Sequence, residues 1–210
     1  MDNENTTPEY WIATANGLHV SYTHPDGREI TIGDIAYSLA QQPRFLGHMP
    51  SIDGDPMTIA GHCLLVTHLL ELDRYDPEIQ LQGLMHDAHE AYIGDMPTPL
   101  KLALFKGDID ILAQDLQESI RQELSLPAPN YESQKIVRGY DEIALRLEVE
   151  HSMITERLGE LPEWTQAFKS PEPHHRDLVV KQYWRDPYWI FNDFMTAYHF
   201  LKNQGGIPNE

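Results

Sequence analysis

Cysteine is almost absent from this 210-residue chain: Cys63 stands alone, so an intramolecular disulfide is excluded. Its apolar, helix-like surroundings read as those of a small buried residue rather than a reactive thiol. Long hydrophobic runs are also missing, since no stretch approaches the roughly 18 to 20 apolar residues that span a bilayer. The first residues, Met1 to Thr7, are polar and acidic, unlike a signal peptide, so a cytoplasmic chain is expected. Positive charge is scarce, with 15 Lys and Arg against 33 Asp and Glu and a net charge of −18. That balance opposes nucleic-acid polymers and anionic membrane surfaces as partners. A small anionic substrate stays open, because a metal ion and one or two local cations reverse the potential inside a pocket.

No internal repeat or low-complexity tract divides the chain, and a single domain over 1–210 is expected. Residues 1–32 read as a β lead-in, 33–202 as a helical core and 203–210 as a flexible tail. In the lead-in, Tyr10 to Ala15 and Leu18 to Tyr22 flank Asn16-Gly17, a strong hairpin signal because both residues tolerate positive φ. Glu29 to Ile32 offers a third strand. The fold class is therefore mainly α, with a small N-terminal β-hairpin or three-stranded sheet. Thr31 or Gly33 opens a helix that stops at Pro43. Pro56 suits the first turn of a helix carrying Ile59, Cys63, Val66 and Leu70, and Asp76-Pro77 opens another through Ile79, Leu81, Leu84 and Met85. Beyond a break at Gly94, helices are predicted from Gly107 to Leu124, from an Asn130 cap to about Leu158, and around Glu163 to Phe168, Leu178 to Trp184 and Tyr188 to Lys202.

His86 and Asp87, side by side at the end of an apolar helix, are poor core residues and good metal ligands. His62, within Ala60-Gly61-His62-Cys63, and Asp141, within Gly139-Tyr140-Asp141-Glu142, fall on separate predicted helices. A hydrolytic metal site needs imidazoles and carboxylates on rigid elements with positions open to water and substrate, and these four residues supply such a set. Taken alone, His62 reads more readily as a satisfied core histidine. Glu142, Glu148 and Glu150 read as a solvated helix face, His68 as structural, and the adjacent His174 and His175 as incidental. The aromatic run from Tyr183 to Phe191 reads as core before it reads as a base-stacking surface.

The pattern H…HD…D resembles the HD-domain phosphohydrolase superfamily. The longer string H-D-A-x-E-x-x-x-G-D-x-P-T-P-x-K, His86 through Lys101, is similar to that of bacterial 5'-deoxynucleotidases and phage-encoded relatives, among them dATP triphosphohydrolases. Arg44-Phe45 precedes the first ligand helix, where those nucleotidases carry an arginine and an aromatic residue. The resemblance spans roughly Ile32 to Glu150 and implies an HD-domain helical bundle with one divalent cation, Zn, Co, Mn or Mg, on His62, His86, Asp87 and Asp141. It implies a catalytic role for Glu90, one turn after His86: orienting the attacking water, taking its proton, or protonating the leaving oxygen.

Around that centre, Arg44 reads as the phosphate clamp, since a guanidinium holds two oxygens at once. Lys101 is a second candidate cation. Asp95, on the turn after Gly94, reads as a partner for a sugar hydroxyl or the attacking water. Phe45 replaces the tryptophan with which the deoxynucleotidases crowd the sugar 2'-position. His89 and His48 are candidate substrate contacts, and both have solvated or structural alternatives.

The resemblance thus implies a metal-dependent phosphohydrolase of small-molecule nucleotides. A deoxynucleoside triphosphate triphosphohydrolase is expected first, on the phage-like lead-in and His89. A 5'-deoxynucleotidase follows closely, and a non-catalytic nucleotide-binding module is the competing class, disfavoured because every motif position is filled. Between Glu90 and Asp141 there is no histidine, which argues against the multi-metal hydrolases of cyclic nucleotides. A homo-oligomer is expected by resemblance.

Overall fold

The computed structural model describes residues 9–23, 25, 29–48, 51, 54–97, 100, 107–152, 159 and 167–205. Strand β1 (Trp11–Ala13) pairs antiparallel with β2 (His19–Ser21), Ile12 opposite Val20, and Gly17 supplies the positive φ that the turn requires. Glu29 to Ile32 adds no third strand. Thr31 instead caps helix α1 (Ile32–Gln41), its hydroxyl accepting the Asp34 N–H at 3.1 Å, so the chain turns helical at Ile32.

Pro43 ends α1, and Arg44–Gly47 forms a 3-10 turn in which Phe45 and Leu46 take the left-handed φ values 54° and 55°. Helix α2 (Ile59–Leu72) begins three residues past Pro56, because Thr58 is its cap and accepts the Gly61 N–H at 3.1 Å. Helix α3 (Pro77–Leu84) has Pro77 in its first turn, while Asp76 makes no side-chain capping bond. A short helix α4 (Glu90–Ile93) follows and stops at Gly94, whose φ is 79°. Helix α5 (Asp108–Glu123) matches its amphipathic pattern.

Helix α6 (Tyr131–His151) opens on a reciprocal cap between Asn130 and Ser133. It ends seven residues before the expected Leu158, where Ser152 turns extended; 153–158 lie outside the described residues. So do 160–166, which hold most of the helix expected at Glu163 to Phe168, and Phe168 itself is not helical. A short α7 (Pro173–Arg176) appears instead, and the expected Leu178 to Trp184 helix is a 3-10 turn, Val180–Tyr183. Helix α8 (Pro187–Gln204) runs into the expected tail, of which 206–210 lie outside the described residues.

Helix α2 is the centre of the packing and meets α3, α6 and α8. Its Leu65, Leu69 and Leu70 are fully buried, each worth about 1.5–3 kcal/mol. Helix α3 comes so close that a Cβ on Gly83 would stand 2.4 Å from Leu70 Cδ1. Cys63 is fully buried, as expected. Tyr183, Trp184, Phe194 and Tyr198 are core residues, whereas Tyr188 and Trp189 of the same aromatic run are exposed. Among the described residues, no helix is long and apolar enough to cross a membrane.

Candidate metal centre

Three segments bring the four proposed ligands together. His62 is fixed on the first turn of α2, where Gly61 permits the Tyr183 carbonyl to approach within 2.7 Å of a would-be Cβ. Asp141 projects from the middle of α6. His86 and Asp87 sit not on a helix but in the turn joining α3 to α4, held by Ala88 N–H to Met85 O at 3.1 Å and Glu90 N–H to Asp87 O at 3.0 Å.

His62 Nε2 lies 3.0 Å from Asp141 Oδ1 and 3.9 Å from Asp87 Oδ2; His86 Nε2 lies 3.1 Å from Asp87 Oδ2 and 3.8 Å from Asp141 Oδ1. Ligand atoms of His62, His86 and Asp87 all fall within 4.8 Å of one another. On the far side of its ring, His86 Nδ1 is 2.8 Å from the Gly83 carbonyl, which can only accept, so Nδ1 carries a proton and Nε2 is the nitrogen left to bind a cation. That Nε2 is buried and, despite its proximity to Asp87, makes no hydrogen bond. Burial opposes charge on both imidazoles. Asp87 and Asp141 outweigh it at His86, and Glu148 and Asp141 outweigh it and the Arg44 charge at His62, so both rings are held above the ordinary histidine value. The same pairs hold Asp87 and Asp141 below the ordinary carboxylate range against their own burial. The pocket thus collects positive charge between two carboxylates, a role that one divalent cation fills in exchange for protons.

Glu148, expected on a solvated face, is fully buried. Its Oε1 lies 2.5 Å from His62 Nδ1 and its Oε2 accepts Arg44 Nε at 3.1 Å. The signal was its spacing: Glu148 follows Asp141 by two helical turns and so shares its face. Glu142 and Glu150 are only partly exposed and pair with Arg138, and with Arg146 and Arg176, respectively. Arg44 is itself buried, stacked on the Phe45 ring at 5.4 Å, with Nη1 3.9 Å from Asp87 Oδ2.

Glu90 opens α4 as a buried side chain whose Oε2 has no hydrogen-bond partner. Desolvation first, then the Asp87 and Asp95 charges, push its carboxyl up to about 9. Asp95 points toward the Arg44 turn, its Oδ2 accepting the Phe45 N–H at 3.2 Å. His89 is bound by both its backbone N–H and Nδ1 to Gln117 Oε1 on α5, at 3.1 and 3.2 Å. His48 is exposed at the end of the 3-10 turn, and Lys101 lies outside the described residues. His68 bonds the Tyr183 hydroxyl through Nδ1, a structural contact.

From His86 and Asp141 a cleft of about 420 Å³ opens between α3, α5 and α6. Leu81, Met85, Leu126, Pro127 and Val137 give it apolar walls, with Gln114 and Gln134 at hand. Its two arginines are paired, Arg121 with Glu118 and Arg138 with Glu142.

His174 and His175, which looked incidental, converge on Asp73 at the end of α2, at 2.7 and 3.1 Å, beside the Tyr140 hydroxyl. Their proximity is compatible with a cation. The His175 ring argues otherwise: its Nδ1 accepts the Glu172 N–H at 3.2 Å, so its Nε2 carries the proton that Asp73 receives and has no lone pair to offer. This cluster clamps α7 to α2.

No family model matches the chain. It is similar to the uncharacterized protein YfdR of Escherichia coli (strain K12), 34% identical over 117 residues, and spans 60% of that relative's length and 56% of its own. It is also 33% identical over 146 residues to the uncharacterized protein RCAP_rcc00048 of Rhodobacter capsulatus, a match covering 67% of this chain and 71% of the relative. On that extent of shared sequence, the chain belongs to the same family as RCAP_rcc00048.

Proposed function

We propose that the chain is a divalent-metal-dependent phosphohydrolase of the HD type that acts on nucleotides. One observation carries the reading: two imidazoles and two carboxylates from three segments converge around the buried, unbonded Nε2 of His86 at the mouth of a cleft. His62, His86, Asp87 and Asp141 would hold the cation. Once bound, a divalent cation lowers the pKa of a water molecule and polarises a phosphoryl oxygen.

The remaining steps belong to the chain's own residues. Arg44, backed by Phe45 and fixed by Glu148, offers its guanidinium to the phosphoryl group. Glu90, buried and within reach of the Asp87 charge, is the proton-transfer group, giving a proton to the leaving oxygen as the P–O bond breaks. The resulting carboxylate takes the proton shed by the attacking water. The apolar cleft receives the nucleoside, with Gln114 and Gln134 able to hydrogen-bond a base edge.

These surroundings favour a monophosphate over the triphosphate placed first from sequence. Among the described residues, the cation acting on Asp87 and Glu90 besides the histidines is Arg44, and the arginines of the cleft are already paired. A triphosphate calls for more positive charge than that. His89, which tilted the sequence reading toward a triphosphate, is engaged by Gln117. Incubation of the Mn²⁺-loaded protein with matched deoxynucleoside mono- and triphosphates, products identified by chromatography, decides between them. Orthophosphate from the monophosphate supports the first reading, triphosphate release supports the second, and no turnover of any nucleotide by protein with bound metal overturns both.

A further inference from the structure

We propose that Glu148 is a positioning residue that couples the metal-holding imidazole of His62 to the phosphate-holding guanidinium of Arg44. This rests on the metal-centre reading above and extends it to a residue outside the proposed ligand set.

The three groups come from α6, α2 and the Arg44–Gly47 turn, and they share one dry space: Glu148 and His62 side chains are 0% exposed and Arg44 is 9% exposed. The carboxylate divides its oxygens. Oε1 faces His62 Nδ1 at 2.5 Å, and Oε2 accepts Arg44 Nε at 3.1 Å. A carboxylate only accepts, so a proton sits on His62 Nδ1, and Nε2, 3.0 Å from Asp141 Oδ1 and 3.9 Å from Asp87 Oδ2, is the nitrogen that would exchange its own proton for a cation held between those carboxylates. Held through Nε, Arg44 keeps Nη1 on the Asp87 side, 3.9 Å from Asp87 Oδ2, where a phosphoryl oxygen would arrive. A buried ion pair is a poor way to gain stability, since an apolar replacement of similar volume is often as stable. Its value here is geometric.

Glu148→Gln tests the idea, because the amide has one acceptor where the carboxylate has two. Arg44 can only donate, so the amide oxygen must serve it and the NH₂ then faces His62 Nδ1. That nitrogen becomes the acceptor, the ring proton moves to Nε2, and the ligand lone pair is lost. In a Co²⁺ titration followed by its visible absorption, Glu148→Gln should bind about 10–100-fold more weakly than the wild-type protein. Arg44→Gln should bind Co²⁺ normally and raise KM. Equal Co²⁺ affinity in wild-type and Glu148→Gln protein overturns the proposal while leaving the metal centre standing; a wild-type protein that binds no Co²⁺ overturns both. Should Glu148→Gln fail to fold, imidazole ¹⁵N shifts of the Zn²⁺-loaded wild-type protein decide the same point. A protonated His62 Nδ1 supports the proposal, and an unprotonated one overturns it.

Discussion

Asp95 Oδ2 accepts the backbone N–H of Phe45 at 3.2 Å, joining the end of α4 to the strained turn that carries Arg44. A backbone with φ of 54° and 55° at two non-glycine residues persists only where its surroundings hold it, and this bond is one of the holds. Asp95→Asn keeps an oxygen able to accept that N–H, whereas Asp95→Ala does not. If the residue works by fixing the turn, Asp95→Asn should retain most activity and Asp95→Ala should raise KM by about tenfold, the equivalent of one lost hydrogen bond of about 1.4 kcal/mol. Equal, severe loss of kcat in both variants would assign Asp95 to the chemistry instead.

Gly83 sets both the contact of α3 with α2 and the carbonyl that fixes the His86 tautomer. An added methyl would meet Leu70, which is fully buried and has little space to yield. Gly83→Ala should therefore cost about 1–3 kcal/mol in urea unfolding despite its better helix propensity. A gain in stability would show that the two helices separate freely at this point.

Asp73 contributes to the pH dependence of stability. Burial would raise its carboxyl, but hydrogen bonds from Tyr140, His174 and His175 prevail and hold it below the ordinary 3.8. A lowered folded-state value means that its stabilisation is present above pH 3.8 and fades as pH falls through the folded value. Asp73→Asn should thus unfold about 1–3 kcal/mol more easily than the wild-type protein at pH 7, with the gap closing below about pH 4. A gap that stays constant across that range would remove the carboxylate charge from the explanation.

Much of this architecture was legible in the chain because it rests on local rules. The Asn16-Gly17 turn, the Pro77 helix start and the Asn130 cap each declare themselves within a few residues, and His62, His86, Asp87 and Asp141 do converge. What stayed hidden depends on distant partners. Glu148 looks like any acidic residue on an amphipathic helix until Arg44, 104 positions earlier, is seen against it. His174 and His175 acquire a role only through Asp73, about a hundred residues before them. Asp95 and His89 sit in the expected neighbourhood, yet their bonds go to Phe45 and Gln117, choices set by packing rather than by spacing.

On the proposed function, phosphate-ester cleavage requires a divalent cation held by His62, His86, Asp87 and Asp141. The most direct test of that requirement is to strip the protein with a chelator, add Mn²⁺ stepwise, and follow orthophosphate release from deoxynucleoside monophosphates in wild-type and Asp87→Ala protein. Turnover should vanish after stripping, return in full near one equivalent of Mn²⁺ in the wild-type protein, and not return in the variant. Turnover that survives stripping, or that Mn²⁺ restores equally in Asp87→Ala, would contradict the requirement.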